Sequence, residues 1–156
     1  MSYTLALLSL RPGVRGWSCT NDSSAESLLS TLRKWPSTIE LPTRDELEQV
    51  RAGIAEAKDR DKKVRSIRKK CDDALDAGVM HNGVLWHSNA VFLSEVLGLV
   101  MGYSLGVFSA TQPQTLRGKD GTFVDLDYSA LTRLAAAIGE HRRAVYAAAW
   151  AEEAAL

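Results

Sequence analysis

The sequence predicts an α+β fold: a small N-terminal β unit, a long central helix, and a C-terminal domain of a β-hairpin plus a strand packed with two helices. Three observations carry this. Thr43-Arg44-Asp45-Glu46 has the form of a capping box, and the run it opens reaches Gly78. Asn82-Gly83 stands between two short apolar runs. An alternating stretch, Thr122 to Leu126, precedes an Ala-rich helical tail. The chain has 156 residues, 46% hydrophobic and 24% charged, enough for one ordinary domain or two small ones with a real core. The division expected is a β-rich unit over 1–42, a helix over 43–77 and an α+β domain over 78–156.

In the first unit, Leu5 to Leu10 and Val14 to Cys19 flank a Pro12-Gly13 turn, which predicts two or three short strands. The N-terminal apolar run lacks a positive leader and a small-residue cleavage site, so it makes a poor signal peptide. Cys19 and Cys71 form no C-x-x-C and no Cys/His cluster. They are expected to be free thiols in a reducing cytoplasm, with neither a zinc site nor a disulfide framework.

At the central helix, Thr43 can accept from the N–H of Glu46 while Glu46 reaches back. Gly78 supplies a left-handed stop. The span is roughly 50 Å at 1.5 Å per residue, long for a globular helix. Leu47, Val50, Ile54, Ala57, Val64 and Cys71 step by threes and fours as a heptad-like seam, interrupted at Asp61 and Arg68. Such a seam suggests self-association. Ile67 lies one step off it, in a position to take over beside Arg68.

Residues 58–70 carry eight Lys or Arg against two Asp. Arg60, Lys62, Lys63, Arg65, Lys69 and Lys70 could contact a polyanion. The reading favoured is a solvated helix: the chain's formal net charge is zero, and no aromatic is interleaved for base stacking.

Asn82-Gly83 predicts a two-residue hairpin turn with His81 facing Val84. His81 then shares a side with Val79 and Trp86, and His87 falls on the other, which removes a His-His metal site. Ser88 or Asn89 caps the next helix, which runs to about Phe108 and is apolar almost all round. Glu95 interrupts it, and the apolar run after it is too short for a membrane span, so a buried core helix is expected. Lys119-Asp120-Gly121 turns into the Thr122–Leu126 strand. Asp127 or Ser129 caps the last helix, with Leu131, Leu134, Ile138, His141 or Arg142, and Val145 inward.

One motif looks catalytic. Gly102-Tyr103-Ser104-Leu105-Gly106 has the G-x-S-x-G form, followed by Asp125 and His141. A nucleophile elbow needs a strand before the serine and a helix after it. Here an apolar helical segment precedes it and Pro113 follows closely. No catalytic residue, cofactor or metal ligand is therefore assigned, and the chain is read as non-enzymatic.

Residues from about Val64 onward, through "AGVMHNGVLWHSN", "KDGTFVDLDYSAL" and "LAAAIGEHRRAVYAAAWAEEAAL", resemble an uncharacterised domain of tailed-bacteriophage tail-fibre and tail-assembly proteins. The pieces "LRPGVRGW" and "LRKWPSTIELPTRDEL" are similar to short phage-tail leader units. The resemblance implies a virion structural protein of the fibre or baseplate region, made in the host cytoplasm, in which 1–42 docks to one partner. Its expected partners are other tail proteins and further copies of itself, a trimer favoured, with no membrane. The alternatives are a fibre-assembly chaperone absent from the finished particle and a nucleic-acid-binding accessory protein using the basic stretch.

Overall fold

A computed structural model describes residues 2–109 and 111–156. The fold is α+β, with a long central helix and two small antiparallel hairpins. It divides into two units, residues 1–63 and 64–156. The division falls inside the long helix α3 (Arg44–Ala77) rather than at its start.

The first unit is helical, which corrects the β-rich expectation for 1–42. Its elements are α1 (Tyr3–Leu10), α2 (Ala25–Thr31) and the first half of α3. Extended pairing among its described residues is a single bridge, Ser18 to Arg33. The physical reason is visible in the spacing. Tyr3, Ala6 and Leu7 are buried with Leu10 packed beside them, the three-and-four step of a helix face. Leu and Ala are also strong helix formers. Ser2 caps α1 by accepting from Thr4 N–H, and Ser24 caps α2 by accepting from Ser27 N–H. Ala25, Leu28 and the fully buried Leu47 complete the core, with Trp17, Trp35 and Val50 packed against it.

α3 opens with the capping box its sequence announces. Glu46 Oε2 accepts from Thr43 N–H at 2.7 Å, and Thr43 Oγ1 accepts from Glu46 N–H at 3.2 Å. It ends where Gly78 takes φ +89° and donates to the Leu75 carbonyl.

The second unit begins with the hairpin β1 (Val79–His81) and β2 (Val84–Trp86). Asn82 and Gly83 have φ of 51° and 79°, and His81 faces Val84. A second hairpin, β3 (Gln114–Arg117) and β4 (Phe123–Leu126), pairs Leu116 with Val124. β4 is the expected strand; β3 is its unforeseen partner. The turn between them packs on the first hairpin, where Lys119 N–H donates to the Leu85 carbonyl at 2.7 Å. Gly118 is required there, because a Cβ would stand 2.7 Å from a Val84 methyl.

Two helices cover the hairpins. α4 (Ala90–Ser104) is capped by Asn89, and α5 (Tyr128–Ala154) by Asp127. They run antiparallel: Tyr103 meets Tyr128 at one end, and Arg142 donates to the Ser88 carbonyl at 2.7 Å at the other. The shared core is Trp86, Phe92, Val96, Leu116, Leu126, Leu131, Leu134 and Ile138. No helix among the described residues is long and apolar enough to cross a membrane.

Candidate interaction surfaces

The seam of α3 is built from residues the fold already uses. Leu47 and Val50 belong to the core of the first unit. In the second unit Ile67 is buried, and Ile67, Cys71 and Ala74 line a groove of about 170 Å³ with Val145, Ala148 and Ala149 of α5. Val64 is half-buried. Ile67, not Arg68, faces inward. Ile54, half-buried, and Ala57, exposed, remain as a short patch, too little for the continuous stripe a coiled coil needs.

The basic stretch lies on the exposed surface of α3. Arg60, Lys62, Lys63, Arg65, Lys69 and Lys70 are all exposed. At its end, Arg68 pairs with Glu153 at 3.2 Å and Lys70 with Glu152 at 3.3 Å, so these two cations face α5. Both pairs are largely exposed and worth little each.

Ser104, Asp125 and His141 are not brought together. Ser104 ends α4, and its hydroxyl donates to the Val100 carbonyl at 3.0 Å. Asp125 accepts from the Thr115 hydroxyl across the second hairpin. His141 lies about 20 Å along α5 from the Tyr128 that Ser104 touches, at 1.5 Å per residue. The glycines of the motif terminate a helix. Gly106 takes φ +72° and donates to the Tyr103 carbonyl, while Val107 N–H reaches Gly102 O. That is a Schellman ending. Gly102 leaves room for the Phe108 ring, which a Cβ would meet at 2.3 Å.

The histidines point apart, as the hairpin register requires. His81 lines a small apolar pocket with Trp86, Leu126 and Leu134. His87 lies edge-on to Phe92 in a shallow cleft that Glu95, Arg117 and Lys119 also line. Lys119 Nζ donates to the Asp76 carbonyl, and the Arg117 guanidinium lies over the Phe123 ring at 5.7 Å. Among the described residues no group of three His, Cys, Asp or Glu could hold a metal ion.

The feature that sequence reasoning missed is on α4. An all-round apolar helix was expected to be buried, yet only one side is. Phe92 and Val96 face the core. On the opposite side Val91 is 79% exposed, Met101 61% and Leu105 72%, with Leu97 half-exposed beside them. Val107, in the turn past the helix end, is 70% exposed as well. Glu95 at its edge is the one charged residue in α4. Contiguous apolar surface of this kind marks an interaction site. A second, smaller feature is the Tyr146–Trp150 stack on α5, with Trp150 exposed.

Fold and surface together define a two-unit α+β protein whose most distinctive surface is an uncovered helix face. The chain belongs to the family of the domain of unknown function DUF4376, whose model matches residues 56–156. No curated protein and no solved structure matches it.

Proposed function

We propose that this chain is a non-enzymatic docking protein of a phage tail, acting in the fibre or baseplate region. The observation that carries the docking part is the bare apolar face of α4, on a domain whose core is complete without it. Exposing that face in water is unfavourable, and covering it is the simplest role it can have. Two separately cored units joined along α3 suit a part that holds partners at two places. The phage-tail part rests on the resemblance of the hairpin, turn and helix segments. The basic stretch serves in this reading as a solvated helix surface, not as a polyanion site.

Mass spectrometry of purified particles, with stoichiometry against a major tail protein, tests the assignment. A small fixed copy number is expected. Presence in infected cells but absence from particles would instead give the chain the role of an assembly chaperone, whose apolar face covers a fibre protein only transiently. Absence from both would remove the tail assignment.

A further inference from the structure

We infer that the exposed face of α4 pairs with the same face of a second copy, the two helices antiparallel about a two-fold axis at Gly98. The inference rests on reading α4 as a docking surface and is independent of the tail assignment.

Three features point to the chain itself as the occupant. The first is spacing. Val91, Ser94, Gly98, Met101 and Leu105 step by three, four, three and four, a heptad stripe on the side away from the core. The stripe is centred on Gly98, with Val91 and Leu105 each seven residues away. Reversed onto itself about Gly98, it places Val91 level with Leu105 of the other copy, and Ser94 beside Met101 of the other copy, offset by one residue or about 1.5 Å. Each large side chain then meets a smaller one, and the two glycines meet at the axis. A closed two-fold contact requires this self-complementarity.

The second is Gly98 itself. Glycine in a helix interior is unfavourable relative to alanine. Within this chain a Cβ at Gly98 would meet nothing within 4 Å. Gly53 and Gly139 are open in the same way, so openness alone assigns nothing. Gly98 differs in standing at the centre of an apolar stripe, where a missing side chain lets two helix backbones approach.

The third is area and charge. Val91, Leu97, Met101 and Leu105 together expose on the order of 500 Å², near the upper limit for a patch on an ordinary monomer. Two such faces cover about 1,000 Å², the lower bound of a specific interface, so a weak, concentration-dependent dimer is expected. The stripe carries no charge for an oppositely charged partner to read. Glu95 lies at its edge, where it stays in water.

The test is the mass of the full-length chain by sedimentation velocity, from micromolar to sub-millimolar concentration. The wild-type chain is expected to double its mass as concentration rises. Met101→Glu puts a charge into the stripe at an exposed position and is expected to stay monomeric with an unchanged circular dichroism spectrum. Ile54→Asp, on the α3 patch, is expected to leave the dimer intact. Diamide is expected to link Gly98→Cys chains in pairs. Ser94→Cys chains, whose thiols would lie roughly 12 Å apart along antiparallel axes, should link no faster than wild type. A wild-type chain monomeric throughout would overturn the inference. So would a trimer, an oligomer that Ile54→Asp dissolves or Met101→Glu leaves intact, or equal linking at positions 94 and 98. Particle composition and solution mass are separate readouts, so the tail assignment and the α4 pairing can fail independently.

Discussion

Gly78 joins α3 to β1, and replacing it with alanine tests how tightly that junction is built. Its φ of +89° lies where an L side chain is strained, at about 1–2 kcal/mol. The space is closed as well. A Cβ would stand 2.4 Å from the Trp86 carbonyl oxygen, a backbone atom in a strand. Trp86 is the register partner of Val79, the residue after Gly78, so the two strands would have to separate at their open end. Losing one ladder hydrogen bond there costs about 1 kcal/mol more. Together the expected destabilisation is about 2–3 kcal/mol, which corresponds to roughly 30- to 150-fold faster local exchange. Hydrogen-exchange mass spectrometry on peptides covering 79–88 reads this directly and does not require the two units to unfold together. Gly98→Ala is the control: the helix is ordinary there and the added methyl meets nothing in the chain. It should slow exchange in α4 by up to about fivefold, measured where the chain is dilute. Acceleration below about fivefold in Gly78→Ala would refute the reasoning, because the conformational strain alone should exceed that.

Two other perturbations follow from the same geometry. Ser88 is 1% exposed, and its hydroxyl donates to the Leu75 carbonyl. Since that carbonyl keeps the Gly78 N–H, Ser88→Ala should cost only about 1 kcal/mol by urea denaturation, and a loss above about 3 would contradict the partner assignment. Acid should destabilise the fold through carboxylates held below their usual range. Thr43 N–H and then its hydroxyl hold Glu46 down; the Ser2 and then the Thr4 hydroxyl hold Asp22; the Thr122 N–H holds Asp120. A depressed folded value means stability present above the unfolded carboxylate range, about pH 4, and lost as pH falls through the folded values. Glu46→Gln keeps a reciprocal cap but cannot titrate, so its urea midpoint should fall less steeply with acid than that of the wild type. An unchanged slope would show that the Thr43 contacts do not couple Glu46 protonation to folding.

The parts of this fold that the sequence announces are those with a local chemical cause. Thr43–Glu46, Asn82-Gly83, Asn89 and Asp127 each satisfy backbone groups within four residues of themselves, so their meaning survives any tertiary context. The Leu5–Leu10 run reads as a strand in the sequence because a run this apolar fits either period, and the burial of Tyr3, Ala6 and Leu7 shows the helix face. β3 was missed because a four-residue strand with one buried residue, Leu116, leaves almost no pattern. The surface of α4 was hidden for a different reason. Its residues are apolar all round, and periodicity reports how hydrophobic a face is, not whether the chain has anything to lay over it. The inward turn of Phe92 and Val96 is what leaves the opposite face uncovered.

The same distinction explains the basic stretch. From Glu56 to Lys63 every residue is exposed, and the boundary between the two units comes at its end. Over these two turns α3 has no core to lean on, so the helix must be sustained by its own residues. Glu, Ala, Lys and Arg are what that situation calls for. Glu56 stands four residues before Arg60, and Asp59 four before Lys63, the orientation in which opposite charges support a helix. The cations beyond the boundary have another task, since Arg68 and Lys70 reach the glutamates near the end of α5. Charge density here follows from the exposure of the helix, and no bound polyanion is needed to account for it. A helix can be soluble by carrying charge, as α3 does, or by having its apolar surface covered. α4 carries one charge, Glu95, so its apolar face needs the second kind of solution, and the pairing inferred above would supply it.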